Sequence, residues 1–539
     1  MPRSSVDRLP DQRGSQSPES GPPPGDRPEG GDRPGPDGDD TGGRPPGRRR
    51  RRILRILAVA VALLLLATAG AGYLYLRHLD NTLRKGRLDL GDNKIGKPAP
   101  NAAGQSPLNI LLIGSDSRQG EENVRLGGAR KDAGRKPLAD VQMLVHVAAD
   151  RRSMSVVSIP RDTRVTIPEC TDPEDGTVYR EQAMAPINQA LQHGGPGCAV
   201  ATWKELTGVY IDHFMMVDFA GVVRMADAIG GVPVCVDKNI YSHDSQGHGS
   251  GLKLRAGTTR VQGEQALQWL RTRYGFEDGS DIGRARAQHM YMNSMVRELK
   301  AGTKLTDPDK LRRLAEAAVG ALTVDESIGT VSKLYDLAND LKRVPTERIT
   351  MTTMPFVYGP QAGYVLPKPG DAEQVFSLLR SDIALDGKDR KKKQEPQASP
   401  GTPKDALKIT VTNGTASAPG GAEPGRAGEI TAALSDLGWT EATADTGLTS
   451  RPGTAVTYPQ TALRGDALAV AKALGVPSRL VKLSDDSEQV QVVIGADWPK
   501  GDRYPEDAAR DGNKAPESAD AINGDDRKAC MKVNDSYVW

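Results

Sequence analysis

The pattern of apolar and polar positions divides the N-terminal part of the chain into three segments. Residues 1–52 hold almost no apolar side chains, whereas residues 53–76 are nearly all apolar and carry no charge from Ile56 to Leu76. A helix of about 20 such residues is long enough to cross a bilayer. The pattern predicts a disordered tail over 1–52, a transmembrane helix over 53–76 and a polar stalk over 77–105.

Beyond the stalk, short apolar and β-branched runs alternate with helical patterns. Strand patterns lie at residues 109–113, 141–147, 154–159, 232–236 and 349–356, and helical patterns lie at 184–192, 200–207, 219–229, 263–270, 286–341 and 372–382. This interleaving of strands and helices is typical of an α/β layered domain. The pattern places that domain over residues 106–385.

The composition changes after this domain. Residues 386–405 are rich in Lys, Pro, Gln, Ser and Gly, which is typical of a linker. A second series of strand and helix patterns follows over 406–497, and residues 498–539 are polar again. The chain is therefore expected to carry a second, smaller α/β domain and a polar C-terminal tail.

Charge indicates how the chain is placed and which partners it lacks. The formal net charge is only +2, so no whole-protein field attracts nucleic acid. Five arginines, Arg48–Arg52, directly precede the apolar segment, and such a block stays in the cytoplasm. A cleaved signal peptide is the alternative, but the tail is long and the apolar run exceeds the usual length of about 7–15 residues. We expect a single-pass protein of the cell membrane with everything after Leu76 extracytoplasmic.

The chain has four cysteines, and outside the membrane thiols tend to pair. Four cysteines allow three sets of pairings. Cys170 and Cys198 flank one polar loop, which favours a disulfide between them. Cys235 lies in an apolar run, where a buried free thiol is an alternative, and Cys530 could attach residues 498–539 to the rest of the protein.

Charged residues stand at the ends of three predicted strands. Asp116 and Arg118 follow the first strand, Arg161 and Asp162 follow another, and Asp140 begins a third. Ligands of open α/β sheets gather at strand ends, although a single loop aspartate is more often a turn residue. Together these residues indicate a candidate site.

A second group of charged residues lies between two predicted helices. If the chain is extended at Arg271 and Arg273, both side chains face the same way. Asp281 occupies a capping position of the next helix, on which Arg284 and Gln288 share a face. Guanidinium groups bind phosphate bidentately and carboxylates hold Mg²⁺, so these residues predict a site for pyrophosphate and a metal. A solvated network of surface salt bridges is the alternative.

An ordered series of motifs resembles the LytR-CpsA-Psr family. The motifs are "NILLIGSDSR", "SVVSIPRDTRV", "INQALQHGG", "DHFMMVDFAGVVRMADAIGGV", "ALQWLRTRY" and "GSDIGRARAQ", and the resemblance covers roughly residues 106–385. Residues 406–497 resemble the LytR C-terminal domain. The resemblance implies a central mixed sheet flanked by helices, with an apolar pocket for a lipid tail.

The resemblance also implies an activity: transfer of a glycopolymer from a polyprenyl-pyrophosphate carrier to peptidoglycan through a phosphodiester. By position, Asp116 and Asp140 match the family's ligands for Mg²⁺ or Mn²⁺. The matches to its pyrophosphate contacts are Arg118, Arg161, Arg271, Arg273, Arg284 and Gln288. The catalytic set implied for this chain comprises Asp116, Asp140, Arg161, Arg271 and Arg273.

Three positions depart from the family pattern. Leu138 and Ala287 stand where the family usually has arginine, and Pro186 stands where it usually has lysine. Arg286 or Lys136 could substitute for the missing charge.

Other activities also fit the sequence. A lipid-pyrophosphate hydrolase would use the same site with water as the nucleophile. A non-catalytic binder or regulator of cell-envelope intermediates would only hold the ligand. For a transferase, Asp116 and Asp140 are candidate acceptors of the hydroxyl proton, but a metal-bound carboxylate is a poor base, and the sequence does not assign the base.

Overall fold

The computed structural model describes most of the chain beyond the N-terminal tail. The described residues are 47–88, 96–101, 103–127, 134–302, 308–361, 363–389, 400–416, 418, 421–451, 453–484, 487–505 and 514–539. They belong to two compact units, Met1–Gly70 and Ala71–Trp539. Most of the predicted tail over 1–52, and residues 390–399 of the predicted linker, lie outside the described residues. The domain boundaries therefore stay predictions.

The helices and strands are numbered in chain order. The helices are α1 (Gly47–Thr82), α2 (Glu121–Gly127), α3 (Ala190–Thr207), α4 (Phe219–Ala228), α5 (Gly263–Arg271), α6 (Asp281–Gly302), α7 (Pro308–Ala321), α8 (Val331–Arg343), α9 (Asp371–Arg380), α10 (Arg426–Asp436) and α11 (Arg464–Leu474). The strands are β1 (Arg84–Gly86), β2 (Leu108–Ser115), β3 (Ala139–Val147), β4 (Met154–Ser158), β5 (Arg164–Ile167), β6 (Cys170–Thr171), β7 (Val178–Tyr179), β8 (Gln182–Pro186), β9 (His213–Val217), β10 (Val232–Val236), β11 (Ile240–Tyr241), β12 (Lys253–Leu254), β13 (Gly257–Val261), β14 (Leu322–Asp325), β15 (Ile349–Thr353), β16 (Phe356–Tyr358), β17 (Val365–Pro367), β18 (Ile409–Asn413), β19 (Ala442–Leu448), β20 (Ala455–Tyr458), β21 (Val481–Leu483), β22 (Val490–Ile494) and β23 (Ile522–Asn523).

Helix α1 contains the predicted apolar segment. Its stretch Arg52–Thr82 has a mean hydropathy of 2.4 in its most apolar window, and none of that window is buried. Among the described helices it is the one long and apolar enough to cross a membrane, which is consistent with a single-pass anchor or a signal sequence. Its end differs from the predicted stalk, because Leu79 and Leu83 are buried and β1 joins the main sheet.

In the described part of the chain, eight strands form a central mixed sheet. Their order is β1-β14-β9-β2-β3-β4-β15-β23, with parallel pairs at β1–β14, β9–β2 and β4–β15 and antiparallel pairs elsewhere. Side chains alternate between the two faces of a strand, so Ile110 packs beneath α6–α8 while Leu111 packs beneath α3 and α9. The mixed sheet flanked by helices is confirmed.

Two of the predicted elements differ from the structure. The helix expected over 184–192 is strand β8 followed by a 3-10 turn, and α3 begins only at Ala190. The helical stretch expected over 286–341 is interrupted by β14. No glycine or proline within β14 indicates that the helix stops there. The four residues are extended because they pair with β1 and β9.

A second sheet forms the smaller α/β domain. Its order is β19-β18-β22-β20-β21, and helices α10 and α11 supply part of its core. The polar edge strand β19 was not predicted, because its side chains are mostly exposed and lack apolar alternation. This domain contacts the first one through an ion pair of 3.1 Å between Arg451 and Glu205 and one of 3.7 Å between Lys482 and Glu373.

The polar C-terminal segment folds back onto the first domain. Strand β23 extends the central sheet beside β15, and Met531 is fully buried. Cys530 forms a disulfide with Cys235, so the alternative of a free thiol at Cys235 is wrong. The predicted disulfide between Cys170 and Cys198 is confirmed, with a Cα–Cα distance of 5.7 Å.

Removal of the disulfide between Cys170 and Cys198 should weaken the fold. The bond closes a loop with a sequence separation of 28, which in the chain-entropy model stabilises the native state by about 3 kcal/mol. We expect the Cys170→Ser, Cys198→Ser double variant to lose about that free energy of unfolding in a non-reducing denaturant titration. A loss below about 0.5 kcal/mol, the scatter of neutral surface changes, would contradict this prediction.

Candidate functional site

Two carboxylates meet at one end of the central sheet. Ser115 and Ala139 are partners in the register of β2 and β3, so Asp116 and Asp140 extend from neighbouring strands. Asp116 is only 7% exposed, accepts the backbone N–H of Leu138 at 2.7 Å and forms an ion pair with Arg135. Asp140 accepts from Arg161 at 3.0 Å. The structure thus brings together both acids that the sequence indicated.

A tight turn holds Arg161 against three carboxylates. The backbone N–H of Thr163 donates to the carbonyl of Pro160 at 3.0 Å, which closes the turn that follows β4. In addition to its bond to Asp140, Arg161 places its Nε 3.5 Å from Asp162 and 3.6 Å from Asp281. Arg161 therefore connects the acids of the sheet with those of α6.

Asp281, the first residue of α6, is shared by three guanidinium groups. Its carboxylate lies 3.1 Å from Arg273 Nε, 3.4 Å from Arg284 Nη2 and 3.6 Å from Arg161 Nε. Arg161 also contacts Asp140 and Asp162, so three arginines and three aspartates lie within one network of ion pairs. We call Arg161, Arg273, Asp281 and Arg284 the Asp281 cluster.

Two further arginines, Arg118 and Arg271, contact the same aromatic ring. The guanidinium carbons of Arg118 and Arg271 lie 5.4 Å and 5.1 Å from the centroid of Phe219. Arg271 also donates to the carbonyl of Leu126 at 2.9 Å. A Cβ at Gly127 would lie 1.7 Å from Arg118 Nη1, so glycine is required there for Arg118 to reach the ring.

The local electrostatics favour an anionic ligand. Partial burial, and then the charge of Arg118, lower the pKa of Arg271, and burial likewise lowers the pKa of Arg284. Among the described residues, the buried nitrogens Nε and Nη1 of Arg118 have no hydrogen-bond partner, and Arg161 Nε and Arg273 Nε have only the ion-pair contacts given above. Because unpaired buried donors are costly, this arrangement is suited to a ligand that supplies acceptor oxygens.

The remaining predicted residues have structural contacts. Gln288 is buried, and its amide donates to the carbonyl of Leu270 at 3.1 Å, which ties the end of α5 to α6. The chain is not extended at Arg271, because Arg271 is the last residue of α5 and extension begins at Thr272. Arg271 and Arg273 approach one region because the helix ends between them, rather than through the two-residue spacing of a strand.

The proposed substitutes for the missing charges point elsewhere. Lys136 contacts Asp172 and Asp175, and Arg286 contacts Glu277 and Asp520. The basic residue that pairs with Asp116 is Arg135, and the sequence analysis did not predict Arg135. The only sequence signal for Arg135 was its position three residues before Leu138. The conformation of residues 134–138 decides that Arg135, rather than Lys136, reaches Asp116.

The chemistry of the acids fits a divalent cation that bridges to phosphate. Mg²⁺ is usually held by one or two carboxylates together with phosphate oxygens and water, and Asp116 and Asp140 supply two carboxylates from adjacent strands. Within the described ranges, no group of three or more His, Cys, Asp or Glu side chains could form an all-protein metal cage. Any cation here would therefore depend on ligand oxygens to complete its coordination.

Fold and site together define an α/β protein with a group of arginines and aspartates at the ends of its central strands. The chain belongs to the LytR_cpsA_psr family, whose model matches residues 77–378. Residues 406–498 match the model described as LytR cell envelope-related transcriptional attenuator. Both predicted family relationships are confirmed.

Several relatives have names that describe cell-wall synthesis. The chain is 27% identical over 327 residues to the cell wall biosynthesis protein LcpA of Corynebacterium glutamicum, which covers 56% of this chain and 60% of LcpA. It is 30% identical over 200 residues to the polyisoprenyl-teichoic acid–peptidoglycan teichoic acid transferase TagU of Bacillus anthracis, covering 37% of this chain and 55% of TagU. The matches thus span little more than half of the length of these relatives.

Solved structures of lower identity were also matched. The LytR-Csp2A-Psr enzyme from Actinomyces oris is 19% identical with a TM-score of 0.40, and covers 55% of this chain and 96% of its own. TagT bound to LI-WTA is 18% identical with a TM-score of 0.40, and covers 55% of this chain and 98% of its own.

Proposed function

We propose that this protein is a phosphotransferase that attaches a glycopolymer from a polyprenyl-pyrophosphate carrier to peptidoglycan through a phosphodiester. The observation that carries the proposal is the group of five arginines beside Asp116 and Asp140, of which Arg118 has buried nitrogens without a hydrogen-bond partner among the described residues. The names of relatives such as TagU, at 30% identity, support the same substrate classes.

Each part of the site has a role in this proposal. Arg118 and Arg271, fixed on Phe219, would bind oxygens of the pyrophosphate, and the Asp281 cluster would bind the remaining oxygens. These preorganised donors would stabilise the charge that builds on the phosphoryl oxygens during transfer. Asp116 and Asp140 would hold Mg²⁺ or Mn²⁺, which when bound supplies further neutralisation of the pyrophosphate.

Incubation of the full-length protein in detergent with a lipid-linked saccharide, Mg²⁺ and peptidoglycan fragments tests the proposal. We expect mass spectrometry to detect the saccharide joined to peptidoglycan through phosphate, and EDTA to abolish the product. Release of the phosphorylated saccharide without transfer would identify a lipid-pyrophosphate hydrolase. Binding of the donor without any turnover, under every metal condition, would identify a non-catalytic binder or regulator.

The membrane placement belongs to the same proposal, because the donor carrier is a membrane lipid. We propose that α1 is a single-pass anchor with the N-terminal arginines in the cytoplasm and the domains after Leu76 outside. Added protease should therefore digest the large domains on intact spheroplasts and leave the N-terminal tail, as read by antibodies to each end. Loss of the tail with protection of the large domains would contradict the orientation.

A further inference from the structure

One carboxylate beside the arginines has no role in the proposed binding of phosphate. Asp162 directly follows Arg161 in the turn after β4, and its side chain is 39% exposed. Its carboxyl group lies 3.5 Å from Arg161 Nε, and the carboxylate of Asp281 lies 3.6 Å from the same nitrogen, so both acids face one guanidinium group. A carboxylate at the edge of an anion site repels the anion, so its presence there calls for another explanation.

We propose that Asp162 is the general base that removes the proton from the acceptor hydroxyl, with Asp281 as its hydrogen-bonding partner. The inference rests on the proposed function and adds to it the residue that activates the nucleophile.

The other acids of the site are less suited to this task. Asp116 is 7% exposed, accepts a backbone N–H and pairs with Arg135, so its oxygens are already engaged. Asp140 accepts from Arg161 at 3.0 Å and is, like Asp116, a proposed ligand of the metal. Hydrogen bonds to the ionised form and a bound cation both weaken a carboxylate as a base.

The surroundings of Asp162 favour acceptance of a proton. Burial, and next among the raising effects the charge of Asp281, raise the pKa of Asp162 even though Arg161 opposes the shift. The groups that face Asp162 are Arg161 on its own turn and Asp281 on α6, and Asp281 is itself paired with Arg273 and Arg284. Protonated Asp162 can donate a hydrogen bond to Asp281, whose negative charge these three arginines stabilise.

The backbone holds Asp162 in place before any substrate binds. The carbonyl of Asp162 accepts from the N–H of Val365 at 3.5 Å, and the neighbouring carbonyls of Arg161 and Thr163 accept from Asn188 and Ile187 at 3.3 Å and 2.9 Å. These contacts come from two separate segments of the chain, one at residues 187–188 and one at Val365. A base fixed in this way loses little freedom when the hydroxyl arrives.

The hydroxyl oxygen of the acceptor forms a bond to the phosphorus that carries the glycopolymer, and its proton passes to an Asp162 carboxylate oxygen. The bond from that phosphorus to the bridging oxygen breaks, and polyprenyl phosphate leaves with the electron pair. Asp162 then returns its proton to solvent, which its partial exposure allows.

The test compares Asp162→Asn with Asp278→Asn in the full-length protein, using the lipid-linked saccharide as donor. Asp278 is an exposed acid of the loop before α6 that accepts only from the N–H of Ser280 in the described structure, so it serves as the matched control. We expect Asp162→Asn to slow turnover by about 10²–10⁴-fold. We expect its donor dissociation constant to stay close to that of the wild type and of Asp278→Asn.

Two further readouts separate a base from a structural residue. The wild-type rate should rise with pH as Asp162 loses its proton, and this acidic limb should be absent in Asp162→Asn. An acceptor alcohol with a more acidic hydroxyl needs less assistance from a base, so the variant should lose less rate with it than with a peptidoglycan fragment.

Three results would overturn the inference: a near wild-type rate, a loss of donor affinity as large as the loss of rate, or an equal loss with both acceptors. A wild-type enzyme that only hydrolyses the donor would disprove transfer but not the base, because the same rate loss in Asp162→Asn would then be measured with water as the nucleophile. A wild type that turns over nothing would overturn both proposals.

Discussion

Arg271→Ala is expected to slow glycopolymer transfer by about 10²–10³-fold. Arg271 lies over the ring of Phe219, and partial burial and the charge of Arg118 lower its pKa. Both effects disfavour its positive charge, so a bound anion would stabilise the charged form. Loss of one preorganised donor that stabilises transition-state charge typically costs about 3–4 kcal/mol. The rate of product formation from a lipid-linked donor, under saturating acceptor, measures the effect.

The charge and the shape of Arg271 can be separated. Arg271→Lys keeps the charge but lacks the planar fork that binds two oxygens, so we expect it to be nearly as slow as Arg271→Ala. Arg260 is an exposed arginine outside the Asp281 cluster, and it forms an ion pair of 2.7 Å with Glu298. The Arg260→Ala variant should therefore transfer the glycopolymer at the wild-type rate. If Arg271→Ala folds normally and is as fast as Arg260→Ala, the assignment of the site is wrong.

Asp281→Ala is expected to lower the free energy of unfolding by about 3–5 kcal/mol. The side chain is 20% exposed and is the common partner of Arg161, Arg273 and Arg284. Its removal leaves three guanidinium groups close together without their shared carboxylate, and uncompensated charge in a partly buried place is strongly destabilising. Chemical denaturation of Asp281→Ala beside the wild type measures the loss.

The same variant gives a test of anion binding that does not depend on activity. Inorganic pyrophosphate should raise the melting temperature of Asp281→Ala more than that of the wild type, because it replaces the missing negative charge and binds only the folded state. Asp278→Ala in the adjacent loop, whose carboxylate accepts only from Ser280 in the described structure, should behave like the wild type. Equal shifts in all three proteins would show that the Asp281 cluster is not where the anion binds.

Much of the fold was predictable because many helices and strands have a recognisable pattern of apolar and polar residues within their own sequence. The apolar runs of β2 and β4, the helix α5 and the loop between Cys170 and Cys198 were all recognisable from neighbouring residues. Strand β14 and edge strand β19 were missed for the opposite reason. Strand β14 has only four residues and β19 exposes most of its side chains, so neither gives a strong local pattern, and pairing with distant strands makes them extended.

Some contacts of the candidate site were likewise predictable from the sequence, and others were not. Asp116, Asp140, Arg161 and the arginines near α6 stood out in the sequence, because charged residues at strand and helix ends form a recognisable pattern. The contact between Arg135 and Asp116 could not be read from the sequence, since it depends on where residues 134–138 lie relative to the end of β2.

The sequence alone determined the chemistry available to this protein: a membrane-length apolar helix, an α/β fold, arginines able to bind phosphate, and aspartates able to hold a divalent cation. Tertiary structure decided how that chemistry is arranged. Residues 161 and 281 are 120 positions apart, yet one carboxylate lies beside three arginines from three segments, and Asp162 faces one of those arginines as well. Local propensity extends over a few residues, whereas such pairings exist only once the whole sheet and its helices have packed.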